Sequence, residues 1–275
     1  MQNSAAMLRH WQHGDLQIQS KSHPRDLVTR ADKESERILI EAIRESFPQD
    51  AILAEESGEV TDGHSEVNPA SASDNNQSTD DNAQYRWVLD PLDGTVNYAH
   101  GSPQYAISAG IMRGEDCVAG AILHPVTGHL YTAITGQGAY KDGARISVSS
   151  RSPMNNCLAV TGFPYRRAEF MDTLLQGIRL ILENARGLRR TGACCVDLTW
   201  LAEGIFDAHY EFFLSPWDTA AATCIVREAG GKVTSLEGKP YVPGMPLLLA
   251  SNGLIHDELL QAMRPLQSSV PNQIL

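Results

Sequence analysis

The apolar positions of this chain follow two rhythms. Over residues 31–47, Ile38, Leu39, Ala42 and Ile43 recur at helical spacing, charges fill the opposite face, and Pro48 follows, which predicts a helix ending there. Ala51–Ala54 is a short apolar run that predicts a strand leading into Glu55-Glu56-Ser57-Gly58. A second strand, containing Tyr85, Trp87, Val88 and Leu89, ends at Asp90, where Pro91 is expected to stop it. From Tyr105 to Ser149 the pattern turns strand-like. Turns at 113–116, 125–128, 136–138 and 141–143 come every ten residues or so, as in an antiparallel meander. After Asn156 strands and helices alternate: a strand at 158–161, a helix at 168–184, a strand near Leu188, a helix at 196–202 and a strand at 206–211. Ser215-Pro216-Trp217-Asp218 then reads as a helix entry, with Ser as N-cap, Pro at the first position and Asp in the first turn. That helix stops at Gly230-Gly231. A strand at Leu247–Ala250 and a helix at Ile255–Met263 close the sequence, and the tail after Pro265 is expected to fray. The order of elements predicts a layered α/β or α+β architecture in one domain spanning residues 1–265.

Composition changes the picture in one place. Residues 61–84 are mostly Ser, Asn, Asp, Gln and Thr, too polar to offset their ordering entropy. They read as a flexible insert, or as a lid, because candidate ligands flank them on both sides. The 275 residues carry a net charge of −11, which disfavours non-specific nucleic-acid binding. No apolar run approaches the roughly 20 residues of a membrane span, and Met1-Gln-Asn-Ser does not begin a secretory signal. Five cysteines without CxxC spacing point to a reducing, cytoplasmic setting, and argue against disulfides or a Cys/His metal cluster. The adjacent Cys194-Cys195 reads as tight packing at a helix start, with a redox pair as the alternative.

Five carboxylates stand at element boundaries: Asp32, Glu55, Asp90, Asp93 and Asp218. Each alone has an ordinary explanation, such as a first-turn acid, a solvated loop or a Pro/Gly turn. Together they supply the oxygen ligands that a hard cation wants on a rigid corner. The amides of Gly94 and Thr95 would face an anion if a helical turn begins there. A cation site beside an anion site suggests phosphate chemistry.

Four blocks carry a wider resemblance: Asp26-Leu-Val-Thr-Arg-Ala-Asp32, Ala54-Glu-Glu-Ser57, Trp87-Val-Leu-Asp-Pro-Leu-Asp-Gly-Thr-Val-Asn97, and Trp217-Asp218 followed by Arg227-Glu-Ala-Gly-Gly231. In content and order they resemble the inositol monophosphatase family of magnesium-dependent, lithium-sensitive phosphatases, across nearly the whole chain. The resemblance implies an α-β-α-β-α sandwich and a homodimer. It implies that Glu55, Asp90 and the Leu92 carbonyl hold one Mg²⁺, that Asp90, Asp93 and Asp218 hold a second, and that Glu55 touches a loosely held third. Gly94 and Thr95 amides would cradle the phosphate, and Thr95 paired with Asp32 would help deprotonate water. Gly192, Ala193, Cys194 and Glu211 would face the substrate, Glu211 through its hydroxyls. Three departures stand out: the first helix is a stub here (Ala5, Ala6, Leu8, Trp11), the polar insert between Glu55 and Asp90 is longer than usual, and Cys194 replaces a usual Ala or Ser.

The activity implied first is hydrolysis of myo-inositol 1-phosphate. Fructose 1,6-bisphosphate, histidinol phosphate, nucleotide phosphates and other sugar phosphates are alternatives. A bisphosphate would need extra cations, for which Arg189-Arg190, Arg166-Arg167 and Lys21 are candidates. A non-catalytic regulatory protein is the remote reading, and no metal ligand is lost to favour it.

Overall fold

The computed structural model describes residues 1–21, 23–60 and 85–268. The expected insert at 61–84 and the end of the chain from 269 lie outside the described residues.

The first layer is a helix pair. Helix α1 (Gln2–Trp11) buries Ser4, Ala5 and Leu8. A two-stranded ribbon, β1 (Gln19–Ser20) and β2 (Leu27–Val28), leads to α2 (Arg30–Ser46). A capping box starts α2: Thr29 Oγ1 accepts from the Ala31 amide at 3.1 Å, and the Asp32 carboxylate accepts from the Thr29 amide at 2.8 Å. Its Leu39 and Ile43 stripe points into the core.

The second layer is an eight-stranded sheet built from β3 (Ala51–Ala54), β4 (Gly58–Val60), β5 (Tyr85–Asp93), β6 (Ala106–Arg113), β7 (Asp116–Leu123), β8 (Leu130–Ile134), β9 (Gly138–Lys141) and β10 (Ala144–Ile146). The five-residue helix α3 (Thr95–Ala99) follows β5 directly. Strands lie in the order β10-β9-β8-β7-β6-β5-β3-β4. The meander from β6 to β10 is antiparallel throughout, and in this sheet, among the described residues, only β3 and β5 pair in parallel. One expectation is corrected here. Pro91 does not end β5. Asp90 pairs with Ser108, the register shifts, and pairing resumes at Asp93 with Ala106. Pro91 lacks the N–H for the ladder, so it occupies the irregularity, and its carbonyl instead accepts from Ser35 Oγ at 2.7 Å.

Five further strands and four α-helices complete the described residues. They are β11 (Leu158–Thr161), α4 (Met171–Asn184), β12 (Gly187–Arg189), α5 (Cys194–Ala202), β13 (Ala208–Phe212), α6 (Pro216–Glu228), β14 (Lys232–Thr234), β15 (Leu247–Ser251) and α7 (His256–Met263). The second sheet has the order β12-β11-β13-β15-β14. Strand β14 was not foreseen, because three residues after Gly230-Gly231 are too few to show a period. Helix α5 begins two residues before the expected position. Residues 167–170 form a 3-10 turn before α4. The tail also corrects an expectation: residues 264–268 form a 3-10 turn, and Leu266 is fully buried.

Three apolar clusters separate the layers. Leu89, Ile107 and Leu123 meet α1 and α2 on one face of the large sheet. Val88, Ile122 and Tyr131 on its other face meet α5 and α6, which also cover Val160 and Ala250 of the second sheet. Tyr210, Phe212 and Leu249 on the far side meet α4 and α7. The alternation of Val88 and Leu89 across one strand is the period-two signature of a sheet covered on both faces. The result is an α-β-α-β-α sandwich. Helix α6 lies flush on the large sheet, since a Cβ on Gly120 would stand 2.5 Å from the Ala221 carbonyl oxygen. Among the described residues, no helix is long and apolar enough to cross a membrane.

Candidate active site

The site forms where four elements end. Glu55 follows β3, and its amide donates to the Leu89 carbonyl at 3.2 Å, which fixes it beside Asp90. Asp90 sits in β5 just before the irregularity, and its Oδ1 accepts from the Leu92 amide at 2.9 Å. Asp93 resumes the ladder, and its two oxygens accept from the Cys194 amide at 3.1 Å and the Cys195 amide at 2.8 Å. That carboxylate therefore caps α5 from a distant part of the chain, which explains the early start of the helix. Asp218 is the third residue of α6, and its Oδ2 accepts from the Ser215 amide at 2.7 Å in a second capping box.

Gly94 holds φ at 87°, a left-handed conformation that favours glycine, and a Cβ there would crowd Ala193 and the Gln104 carbonyl at 3.0 Å. This turn delivers Thr95. Its Oγ1 lies 2.9 Å from Asp32 Oδ1 and 3.1 Å from the Leu92 carbonyl oxygen, and it donates its proton between them. The other Asp32 oxygen accepts from the Thr29 amide and hydroxyl at 2.8 and 2.6 Å. Asn97, in the same block, donates to the carbonyls of Gln104 at 2.7 Å and Thr191 at 3.0 Å, tying the corner to the loop before α5. Sequence reasoning passed over that role, because nothing local announces a partner 94 residues away.

Burial and mutual repulsion shape the charges. Glu55 is pushed up to about 7, first by burial, against the opposing pull of Lys21. Asp93 is also pushed up to about 7, by burial, with its two amide partners opposing. Asp90 and Asp218 are raised well above the usual carboxylate range by burial and then by neighbouring acids, beginning with Glu55. Asp32 is raised by burial, offset by Thr29 and Thr95. Lys21 Nζ lies 2.6 Å from both Glu55 Oε1 and Glu56 Oε1. Two buried acids, Asp90 and Asp93, and two half-buried ones, Glu55 and Asp218, share a raised affinity for protons and form a site that a cation would relieve. The donors are all oxygen, carboxylates plus the Leu92 carbonyl, which fits Mg²⁺.

A cavity of about 640 Å³ opens over this corner. Glu55, Asp90, Leu92, Asp93, Gly94, Thr95, Gly192, Cys194, Glu211 and Asp218 all line it. Asp32 stands behind Thr95, and Ala193 is buried beneath the cavity wall, so neither lines it. Of the expected cations, Lys21, Arg167 and Arg190 reach the cavity, together with Arg25 and His100, which were not foreseen. Arg189 does not line it, and Arg166 pairs with Glu169 at 2.8 Å instead.

A further correction concerns histidine. The sequence argues against a Cys/His metal cluster, yet the structure brings the buried Cys194, His209 and Glu211 together beside Asp93, whose carboxylate accepts from the Cys194 amide. The available signal was the i, i+2 spacing of His209 and Glu211, which puts both on one face of a strand.

The comparisons with known proteins agree with the fold. A profile of the inositol monophosphatase family matches residues 2–268. The chain is 37% identical to an inositol-1-monophosphatase of Synechocystis over 90% of this chain and 80% of that protein. It is 35% identical to the chloroplastic phosphatase IMPL1 of Arabidopsis thaliana, covering 87% of this chain but 62% of the length of that relative. Other relatives bear the name Nus factor SuhB, among them one from Pseudomonas aeruginosa at 34% identity over 88% of this chain and 84% of its own length. The crystal structure of the extragenic suppressor protein suhB from Bartonella henselae superposes with a TM-score of 0.83 at 31% identity, covering 96% of this chain and 95% of that one. The chain belongs to the inositol monophosphatase family, and its class is that of a phosphoric monoester hydrolase.

Proposed function

We propose that this protein hydrolyses the phosphate monoester of a small polyol, with myo-inositol 1-phosphate as the first candidate, using two to three Mg²⁺ ions. The observation that carries this reading is the convergence of Glu55, Asp90, Asp93 and Asp218 on one cavity that Thr95, bonded to Asp32, also faces. Glu55, Asp90 and the Leu92 carbonyl would hold one ion, and Asp90, Asp93 and Asp218 another, with Glu55 at a looser third. Bound metal would neutralise the phosphate, lower the pKa of attacking water and stabilise the leaving alkoxide. Phosphoryl transfer asks for little beyond positioning and charge.

The chain's own groups do the rest. Thr95 Oγ1 donates to Asp32, so its lone pairs are free to accept a proton from the attacking water, while its own proton passes to Asp32. The Gly94 and Thr95 amides orient the phosphate. Glu211, with Gly192 and Cys194 beside it, receives the hydroxyls of the leaving group, and Ala193 supports that loop from beneath. In keeping with the family resemblance and the acidic charge, we further propose a cytoplasmic, lithium-sensitive homodimer that binds neither nucleic acid nor membrane.

A second reading, hydrolysis of a sugar bisphosphate such as fructose 1,6-bisphosphate, is favoured by one observation: Lys21, Arg25, Arg167 and Arg190 line the same cavity. A phosphate-release panel with inositol 1-phosphate, fructose 1,6-bisphosphate, histidinol phosphate and phosphoadenosine phosphate, with and without Mg²⁺ and Li⁺, separates the readings. The expected result is Mg²⁺-dependent, Li⁺-inhibited turnover, fastest with inositol 1-phosphate. Preference for the bisphosphate would replace the first reading with the second, and silence on every substrate would overturn both.

A further inference from the structure

Cys194 Sγ, a ring nitrogen of His209 and a carboxylate oxygen of Glu211 all lie within 4.8 Å of one another, and all three residues are buried. His209 and Glu211 alternate along β13 and face the same side, toward the first residue of α5, Cys194. His209 is fully buried, and neither of its ring nitrogens has a hydrogen-bond partner. Glu211 Oε2 has none either, although it stands 3.4 Å from His209 Nε2. Buried polar groups are ordinarily satisfied, so three unsatisfied atoms from two adjacent side chains call for a missing ligand. A lone proton between His209 and Glu211 would satisfy one atom of each and leave the second ring nitrogen and the thiol unused.

We propose that Cys194, His209 and Glu211 bind a borderline-soft divalent cation of the Zn²⁺ class, at a site that adjoins the carboxylate centre and shares Glu211 with the proposed substrate pocket, so that this ion and the substrate's hydroxyls compete for Glu211. The donor set is one sulfur, one nitrogen and one oxygen, which suits Zn²⁺ and is foreign to Mg²⁺. In a tetrahedral zinc site, ligand atoms sit about 3.3–3.8 Å apart given bond lengths of about 2.0–2.3 Å, so modest side-chain rotation closes the present spacing. Three protein ligands leave a fourth position. Cys194 and Glu211 both line the cavity, so that position opens toward it and gives the ion its way in. Cys194 binds as thiolate, and its proton is released to solvent as the metal–sulfur bond forms.

The test uses the full chain in excess Mg²⁺, which keeps the carboxylate centre supplied. Zn²⁺ is titrated against a chromogenic chelator, and Co²⁺ is added in parallel as a spectroscopic probe. The expected result is one Mg²⁺-resistant Zn²⁺ per chain and a near-ultraviolet thiolate-to-cobalt band. Cys194→Ala, which removes a single sulfur, is expected to abolish the band and weaken Zn²⁺ at least tenfold; His209→Gln is expected to weaken Zn²⁺ similarly. Circular dichroism confirms that each variant is folded, and should His209→Gln fail to fold, the cysteine variant decides. Asp90→Asn is expected to retain both the band and the Zn²⁺. Absence of Mg²⁺-resistant binding, binding without a thiolate band, or undiminished affinity in Cys194→Ala would each overturn the proposal.

Discussion

Lys21 Nζ and Glu55 Oε1 lie 2.6 Å apart, and the same ammonium reaches Glu56. The lysine thus neutralises a carboxylate that the proposed metal centre also needs. An ammonium and a divalent ion compete for one oxygen. Replacing the lysine by an apolar side chain of similar length, Lys21→Met, is expected to tighten apparent Mg²⁺ affinity by about 3–10-fold, roughly 1 kcal/mol for a partly buried pair. It is also expected to lower the melting temperature in chelator. The Mg²⁺ dependence of turnover and a thermal melt read the two effects. Weaker Mg²⁺ binding would mean that Lys21 positions Glu55 rather than competing for it.

Asp90→Asn should separate chemistry from folding. The residue is fully enclosed, and its neighbours are mostly like charges. Removing its charge is expected to cut turnover by roughly 10³-fold or more, since the electrostatic clamp on phosphate is lost. The same change is expected to leave the melting temperature in chelator unchanged or higher, and to abolish its rise on adding Mg²⁺. Near-normal Mg²⁺-dependent turnover would remove Asp90 from the reaction.

Thr95 and Asp32 are proposed to act as one proton path. Thr95→Ala is expected to lower kcat by about 10²–10³-fold, within the range of general base catalysis, whereas Thr95→Ser should stay within about tenfold of the parent. A double substitution with Asp32→Asn should cost little more than either change alone. Additive losses in the kinetic cycle would show that the two act separately.

The acids also set a pH dependence. Glu55 and Asp93 rise from ordinary values of 4.5 and 3.8 to about 7 in the folded chain. Between those limits the folded state holds protons that the unfolded chain has lost, so stability falls as pH rises. The contribution is fully present below about pH 4 and is lost as pH passes 7. In chelator the protein is expected to melt several degrees lower at pH 8 than at pH 5, and Mg²⁺ is expected to restore the difference at pH 8. A metal-free melting temperature that climbs from pH 5 to pH 8 would contradict this charge assignment.

The sequence disclosed some of this because local patterns encoded it. The stripe of α2, the meander and the Ser215-Pro216 entry rest on period and caps, which neighbouring residues specify. Asp93 and Asp218 were legible as candidate ligands because one closes a strand and the other opens a helix, and Asp90 because it stands beside Pro91 at the irregularity within β5. Pro91 misled, because its missing N–H marks equally the end of a strand and an irregularity within one; only the Ser35 hydroxyl, on another element, decides. The early start of α5 depends on Asp93 as a remote cap. The approach of His209 to Cys194 depends on how β13 packs against α5, which no local window records.

The close seat of α6 on the large sheet has a consequence for divergence. Gly120 and Ala221 leave no slack between helix and strands, so Asp218 moves only if the sheet moves with it. Glu55, Asp90 and Asp93 belong to that same rigid block, while Glu211 stands on a strand of the other sheet. On the proposed roles, the residues that would hold the ions and the residue that would meet the leaving group stand on different sheets, so changes on the outer side of β13 can alter what the cavity accepts while Gly120 and Ala221 hold the acids in place.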